Sequence, residues 1–180
     1  MAYTRTAILL HWLVALLLIA TFPLGLAMVE MPLSPQKLKL FSYHKWIGVT
    51  IFALALLRLL WRITHAAPPL PASMPSWQRR ASQCVHGVFY LVLLAIPVSG
   101  WTYSSAAGVQ TVYLGLLPLP NLVSPDKALA LTLKGVHYAL NASLFVVFCV
   151  HVFAALKHQF IDRDAVLARM LPFLKKREPR

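Results

Sequence analysis

The sequence predicts an all-α integral membrane protein, a bundle of four spanning helices with no separate soluble domain. Three observations predict it. The 180 residues are 59% hydrophobic and only 12% charged, where soluble domains carry about 25% charged residues. Mean hydropathy is +0.68. Four segments are nearly free of charge, and each reaches the roughly 20 residues that a helix needs to cross a hydrocarbon core about 30 Å thick.

The first helix is expected over about residues 7–29, since no charge falls between Arg5 and Glu30. Its apolar run is too long for a cleaved signal peptide and lacks an Ala-x-Ala cleavage site. The second covers about 43–63, with Lys45, Arg58 and Arg62 near its ends, and the third about 82–104. The fourth, about 135–158, has no Lys, Arg, Asp or Glu from Gly135 to Leu156. Prolines punctuate the connections: Pro32 and Pro35 in the first, Pro68, Pro69, Pro71 and Pro75 in the second. In the third, Val112 to Val123 is apolar but broken by Pro118 and Pro120. It is too short to span and is expected to be interfacial or re-entrant. Residues 1–180 then form a single membrane domain, ending in a basic tail over 159–180.

The net charge of +12 would suggest nucleic acid as partner of a soluble chain. In a four-span chain the positive-inside rule accounts for it, and no nucleic acid is expected. With four spans the termini share a side. Twelve of the Lys and Arg residues fall on that side, against Lys37, Lys39, Lys45, Lys127 and Lys134 on the other. Both termini are therefore expected in the cytoplasm, with the tail as an anchor at anionic headgroups. The cysteines, Cys84 and Cys149, belong to no C-x-x-C pair, so neither zinc nor covalently attached c-type haem is expected.

The most informative residues are His137 and His151. Fourteen helical residues rise roughly 21 Å and turn through about 1400°, close to four full turns. Both imidazoles thus lie on one face of helix four, one near each membrane surface. A histidine within a span is costly and marks function by default. Two stacked ligands on one helix suit two haems placed one above the other, held by neutral imidazole nitrogens. Topology puts His44 at the outer level with His137. At the inner level His151 can pair with His11 or His86. Arg58, fourteen residues after His44, shares its face at the inner level and can meet a haem propionate or snorkel to headgroups. His158, seven residues beyond His151, would lie on the same face of a continuing helix about two turns nearer the cytoplasm.

The chain resembles the bacterial cytochrome b561 family of four-helix dihaem proteins, and more distantly the cytochrome b subunits of formate dehydrogenases and nickel–iron hydrogenases. The matching pieces are His11-Trp12-Leu13-Val14, His44, His86 with Ile96-Pro97-Val98-Ser99-Gly100, and His137 with His151. The resemblance implies two haem b groups, the inner on His11 and His151 and the outer on His44 and His137, with His86 spare as a supporting or quinone-side residue. Through stand-alone members it implies a superoxide:ubiquinone oxidoreductase of the bacterial inner membrane, with superoxide oxidised outside and ubiquinone reduced inside. The quinone so implied is one that His158 could bond and protonate. The outer lysines, against Glu30 and Asp126, give that face a charge of +3, which suits an anion. The alternative is a membrane subunit that relays electrons between a partner dehydrogenase or hydrogenase and the quinone pool.

Overall fold

A computed structural model describes residues 3–71, 74–171 and 174. It contains four long helices, α1 (Arg5–Glu30), α2 (Pro35–Thr64), α3 (Ser76–Ala106) and α4 (Lys127–Lys157). All four are long and apolar enough to cross a membrane. The fold is the expected membrane helical bundle. The basic residues Lys175, Lys176, Arg177 and Arg180 of the tail lie outside the described residues.

All four helices start earlier than hydropathy alone suggested, and for α1, α2 and α4 local chemistry explains where they start. Ser34 caps α2, its hydroxyl accepting the Lys37 N–H at 3.2 Å. Pro35 fills the first turn, where its missing N–H costs nothing. The first connection therefore shrinks to four residues, Met31 to Ser34. Asp126 caps α4 eight residues before the expected start, accepting the N–H groups of Ala128 and Leu129 at 2.8 and 3.0 Å. Thr4 caps α1 by accepting the Ala7 N–H. These polar first turns carry too little hydrophobicity for a hydropathy window, but the caps make them helical.

The segment expected to be interfacial or re-entrant is a β-hairpin. Val112–Tyr113 pairs antiparallel with Leu117–Pro118, in register Val112 with Pro118 and Tyr113 with Leu117. Leu114 and Gly115 make the turn with φ of 54° and 72°, a left-handed pair that glycine tolerates and leucine adopts at a cost. Two indoles strap this outer connection down. Trp46 donates to the Val112 carbonyl at 2.7 Å and Trp101 to the Pro120 carbonyl at 3.0 Å. Tyr113 adds a hydroxyl contact to Thr50 at 2.9 Å.

Helix α1 packs mainly on α2 and α3 on α4, with α2 against α3 joining the two pairs. The core is small: Val14, Ile51, Ala55 and Leu93, from α1, α2 and α3. Large apolar side chains such as Leu16, Leu57, Leu91 and Phe153 face outward, as they should where the solvent is lipid. Backbones of α4 and α1, and of α4 and α2, make no comparably close approach. The histidines face one another across those two gaps.

The tail does not simply run to the headgroups. Beyond α4 the chain turns back, and Leu167–Arg169 form a short 3-10 turn. Trp12 of α1 donates to the Met170 carbonyl at 2.8 Å, and Arg169 donates to the Pro69 carbonyl at 2.6 Å. The start of the basic tail is thus docked against the cytoplasm-side end of the bundle as the charge rule orients it.

Candidate functional site

The outer level is built on α2 and α4. His44 and His137 stand with ring centres 6.3 Å apart and planes at 83°. Each ring is held from behind through Nδ1. The Thr21 hydroxyl lies 3.1 Å from His44 Nδ1. The Ser99 hydroxyl lies 3.0 Å from His137 Nδ1, and the Ile96 carbonyl 3.2 Å. Thr21 and Ser99 are themselves buried. The Ile96 carbonyl can only accept, so His137 donates from Nδ1, and with Nδ1 engaged in both rings Nε2 is the nitrogen left free to ligate.

Glycines complete this level. A Cβ on Gly25 would stand 3.2 Å from His44 Cε1, and one on Gly100 only 3.0 Å from His137 Cε1. Both rings therefore lie close against helix backbone, and an added Cβ would make each ring give way by a few tenths of an ångström. Gly25 is one turn beyond Thr21, so a single face of α1 offers the hydroxyl and the gap together.

The inner level brings three histidines together from α1, α3 and α4. His151 is 6.3 Å from His11 and 5.7 Å from His86, ring centre to ring centre. Phe89 meets the His151 ring edge-on at 5.3 Å, and Trp12 packs edge-on against His11 at 5.2 Å. Nδ1 of His11 is buried and has no hydrogen-bond partner among the described residues. An orphaned polar atom inside a bundle is a cost that calls for an explanation. Between the two levels Phe22 and Phe145 stack at 5.3 Å.

Arg58 lies beside this cluster, its guanidinium 5.7 Å from the centre of the Tyr90 ring. No carboxylate pairs with it among the described residues. It borders a cavity of about 60 Å³ that Arg62, His86, Tyr90, Trp61 and Met170 also line. An unpaired cation in such a place fits an anionic group.

Do these residues fit haem? An imidazole nitrogen bonds a metal at about 2 Å and lies about 1.1 Å from its ring centre. Two rings on opposite sides of one iron then stand roughly 6.2 Å apart. Both His44–His137 and His11–His151 match that spacing. The donor set is neutral imidazole, the backbone gaps lie between the paired helices, and a guanidinium waits at the inner edge. The residues fit the group at both levels.

Of the outer lysines, Lys37 is engaged in capping α1, bonding the Met31 and Val29 carbonyls. Lys39 and Lys134 lie 5.8 Å from the ring centres of Tyr43 and Tyr138. Lys45, half-buried beside His44, has no hydrogen-bond or ion-pair partner among the described residues. His158 is not on a continuing α-helix. It opens a wider π turn, His158–Asp162, and its Nδ1 faces Asp164 at 2.7 Å and Asp162 at 3.1 Å.

Sequence reasoning missed Thr21, Gly25, Asp162 and Asp164. The first left a signal, being the one polar side chain between Trp12 and Glu30. Gly25 follows it by one turn. The aspartates left none, because a chain reversal brings them to His158.

A sequence model of the prokaryotic cytochrome b561 family matches residues 2–173. The chain is 36% identical over 163 residues to cytochrome b561 homolog 2 of Escherichia coli K12, covering 89% of this chain and 86% of that one. It is 26% identical over 179 residues to cytochrome b561 homolog 1 of the same organism, covering 94% and 97%. It is also 29% identical over 178 residues to the probable superoxide oxidase CybB of Yersinia pestis, covering 94% and 96%. The family implies b-type haem, which is the group that the paired imidazoles fit. The chain therefore belongs to the prokaryotic cytochrome b561 family, as a multi-pass membrane electron-transfer protein.

Proposed function

We propose that this chain is a dihaem superoxide:ubiquinone oxidoreductase of the bacterial inner membrane, with both termini in the cytoplasm. The observation that carries the dihaem reading is the pair of imidazole couples, His44–His137 and His11–His151, each at 6.3 Å and joined through one helix. The substrate follows from likeness to the probable superoxide oxidase of Yersinia pestis and from the positive outer face. The topology rests on the charge asymmetry of the loops.

Haem b, when bound, supplies at each level an iron that takes up and releases one electron. His44 and His137 would hold the outer group, His11 and His151 the inner. Thr21 and Ser99 orient the outer ligands through Nδ1. His86 stands as a supporting residue beside His151, and Arg58 offers its charge to a propionate. Lys45 draws an anion toward His44, since its ammonium is not committed elsewhere. Outer-sphere transfer needs no covalent catalysis, so approach and orientation are what the outer residues provide.

The balance is two superoxide to two dioxygen outside, two electrons across, and ubiquinone plus two cytoplasmic protons to ubiquinol inside. His158, in the π turn that follows α4 beyond the inner level, bonds a quinone carbonyl. The test is a superoxide pulse on the oxidised, purified protein, followed by stopped-flow absorption. Reduced b-type bands appearing within milliseconds, and more slowly in a Lys45→Gln variant, support the reading. Haem that ignores superoxide but accepts electrons from quinol would instead make the chain a relay for a partner dehydrogenase, and absence of a Soret band would overturn both.

A further inference from the structure

The cytoplasmic end of α4 finishes in a way that electron transfer alone does not require. From His158 to Asp162 the helix widens by one residue per turn. Such turns are rare and concentrate at functional sites. Arg163 then takes a left-handed backbone, with φ of 54°, which a residue with a Cβ adopts only at a cost. The reversal has a definite product. Asp164 returns its N–H to the His158 carbonyl at 3.1 Å and its Oδ2 to His158 Nδ1 at 2.7 Å.

The rest of the cluster locks that contact. Asp164 Oδ1 accepts the Val166 N–H at 2.9 Å, which fixes the carboxylate plane. Asp162 Oδ2 lies 3.1 Å from the same ring nitrogen, and Lys157 holds both Asp162 oxygens at 2.6 and 2.7 Å. The His158 side chain is 13% exposed, and its Nε2 has no hydrogen-bond partner among the described residues. The three ligand atoms of His158, Asp162 and Asp164 are also close enough to hold a metal ion. The Lys157 ammonium already occupies the place of a cation on Asp162, however, and a second ring proton on His158 would balance Asp164 without a metal.

We infer that Asp164 is the positioning residue of a His158–Asp164 dyad that delivers a proton from Nε2 to the quinone being reduced. The inference rests on the reading that ubiquinone meets His158. With Nδ1–H donated to the carboxylate, Nε2 is the only ring atom left to exchange a proton. When both nitrogens carry protons, Lys157 and His158 balance Asp162 and Asp164. As the quinone takes two electrons, the Nε2–H bond breaks and an O–H bond forms on one quinone oxygen. The ring is left neutral, its remaining Nδ1–H still donated to the Asp164 carboxylate, and the cluster is left with one net negative charge that favours recovery of a proton from cytoplasmic water. The second quinone oxygen takes its proton from water directly.

The experiment uses the haem-loaded protein in detergent, reduced beforehand, and follows reoxidation of the haem by a short-tailed ubiquinone and separately by ferricyanide, which takes electrons without protons. Asp164→Asn is expected to lower the rate at saturating quinone about tenfold to a hundredfold, with the KM for quinone within about twofold. Asp164→Glu is expected to restore most of it. Ferricyanide reoxidation should proceed alike in both. In ¹⁵N-histidine spectra of the oxidised protein, the signal lost in His158→Gln should report the Nδ1–H tautomer in the unaltered chain and a mixture of tautomers in Asp164→Asn. Unchanged quinone kinetics in Asp164→Asn, with haem reoxidation by quinone lost in His158→Gln, would overturn the dyad while leaving the quinone site standing. Unchanged haem reoxidation by quinone in His158→Gln would overturn the site and the dyad together.

Discussion

The two ends of the bundle treat their histidines differently. At the outer level both imidazoles are fixed from behind, His44 by Thr21 and His137 by Ser99 and the Ile96 carbonyl, and both lie on glycine backbone. A hairpin strapped by Trp46 and Trp101 runs beside them. At the inner level three rings cluster where a pair would do, and among the described residues His11 Nδ1 has no hydrogen-bond partner and Arg58, beside a cavity, no carboxylate partner. A level that exchanges only electrons can be packed closed. On the proposed function the inner level must also admit a quinone and its protons, which needs room and polar groups in reserve. Tight packing should therefore make the outer level sensitive to added atoms, and the inner level sensitive to lost charges.

The largest effect is expected at the inner cluster. His151→Ala should lose the inner haem outright, seen as the loss of one of two b-type components in a redox titration. Between its two neighbours, His11→Ala should lose the same component and His86→Ala should keep it. The reverse result would exchange their roles, for His86 is the nearer ring at 5.7 Å.

Next comes a steric test of the outer level. Gly100→Val should displace His137, because a Cβ there already stands 3.0 Å from Cε1. Overpacking of this kind costs about 1–3 kcal/mol. Gly135→Ala, where nothing lies within 4 Å of the new atom, should leave haem content and melting temperature unchanged. Equal behaviour of the two variants would mean that the outer ring is not seated on its glycine.

The four spans, the pairing of His44 with His137 and the convergence on His151 were all legible in the sequence, because charge-free length and helical periodicity encode them directly. Helix starts were not. Ser34 and Asp126 begin helices inside stretches that hydropathy reads as connection, since a cap is a single hydrogen bond rather than a trend. The Val112–Pro118 hairpin was hidden by its own apolar composition, which also suits an interfacial segment. The choice between His11 and His86 stayed open for a geometric reason: both lie near the inner ends of their helices, and only the distances separate them. Asp162 and Asp164 were invisible because the reversal at Arg163 has no glycine to announce it.

Smaller effects should distinguish the supports. Ser99→Ala or Thr21→Val should keep both haems but weaken retention of the outer one, on the order of tenfold to a hundredfold, measured as faster transfer to apomyoglobin. The inner haem should transfer at its usual rate. Smallest of all, Asp126→Ala should remove the cap of α4 and lower stability by about 1 kcal/mol, visible as a modest fall in melting temperature with an unaltered haem spectrum.

The central claim is that the chain holds two haems on two independent histidine couples. Haem content per chain, measured by the pyridine haemochrome method on purified protein, tests it most directly. Two haems in the unaltered chain, one in His44→Ala and none in the His44→Ala, His151→Ala double variant is the predicted result. A single haem in the unaltered chain, or two surviving in His44→Ala, would contradict it.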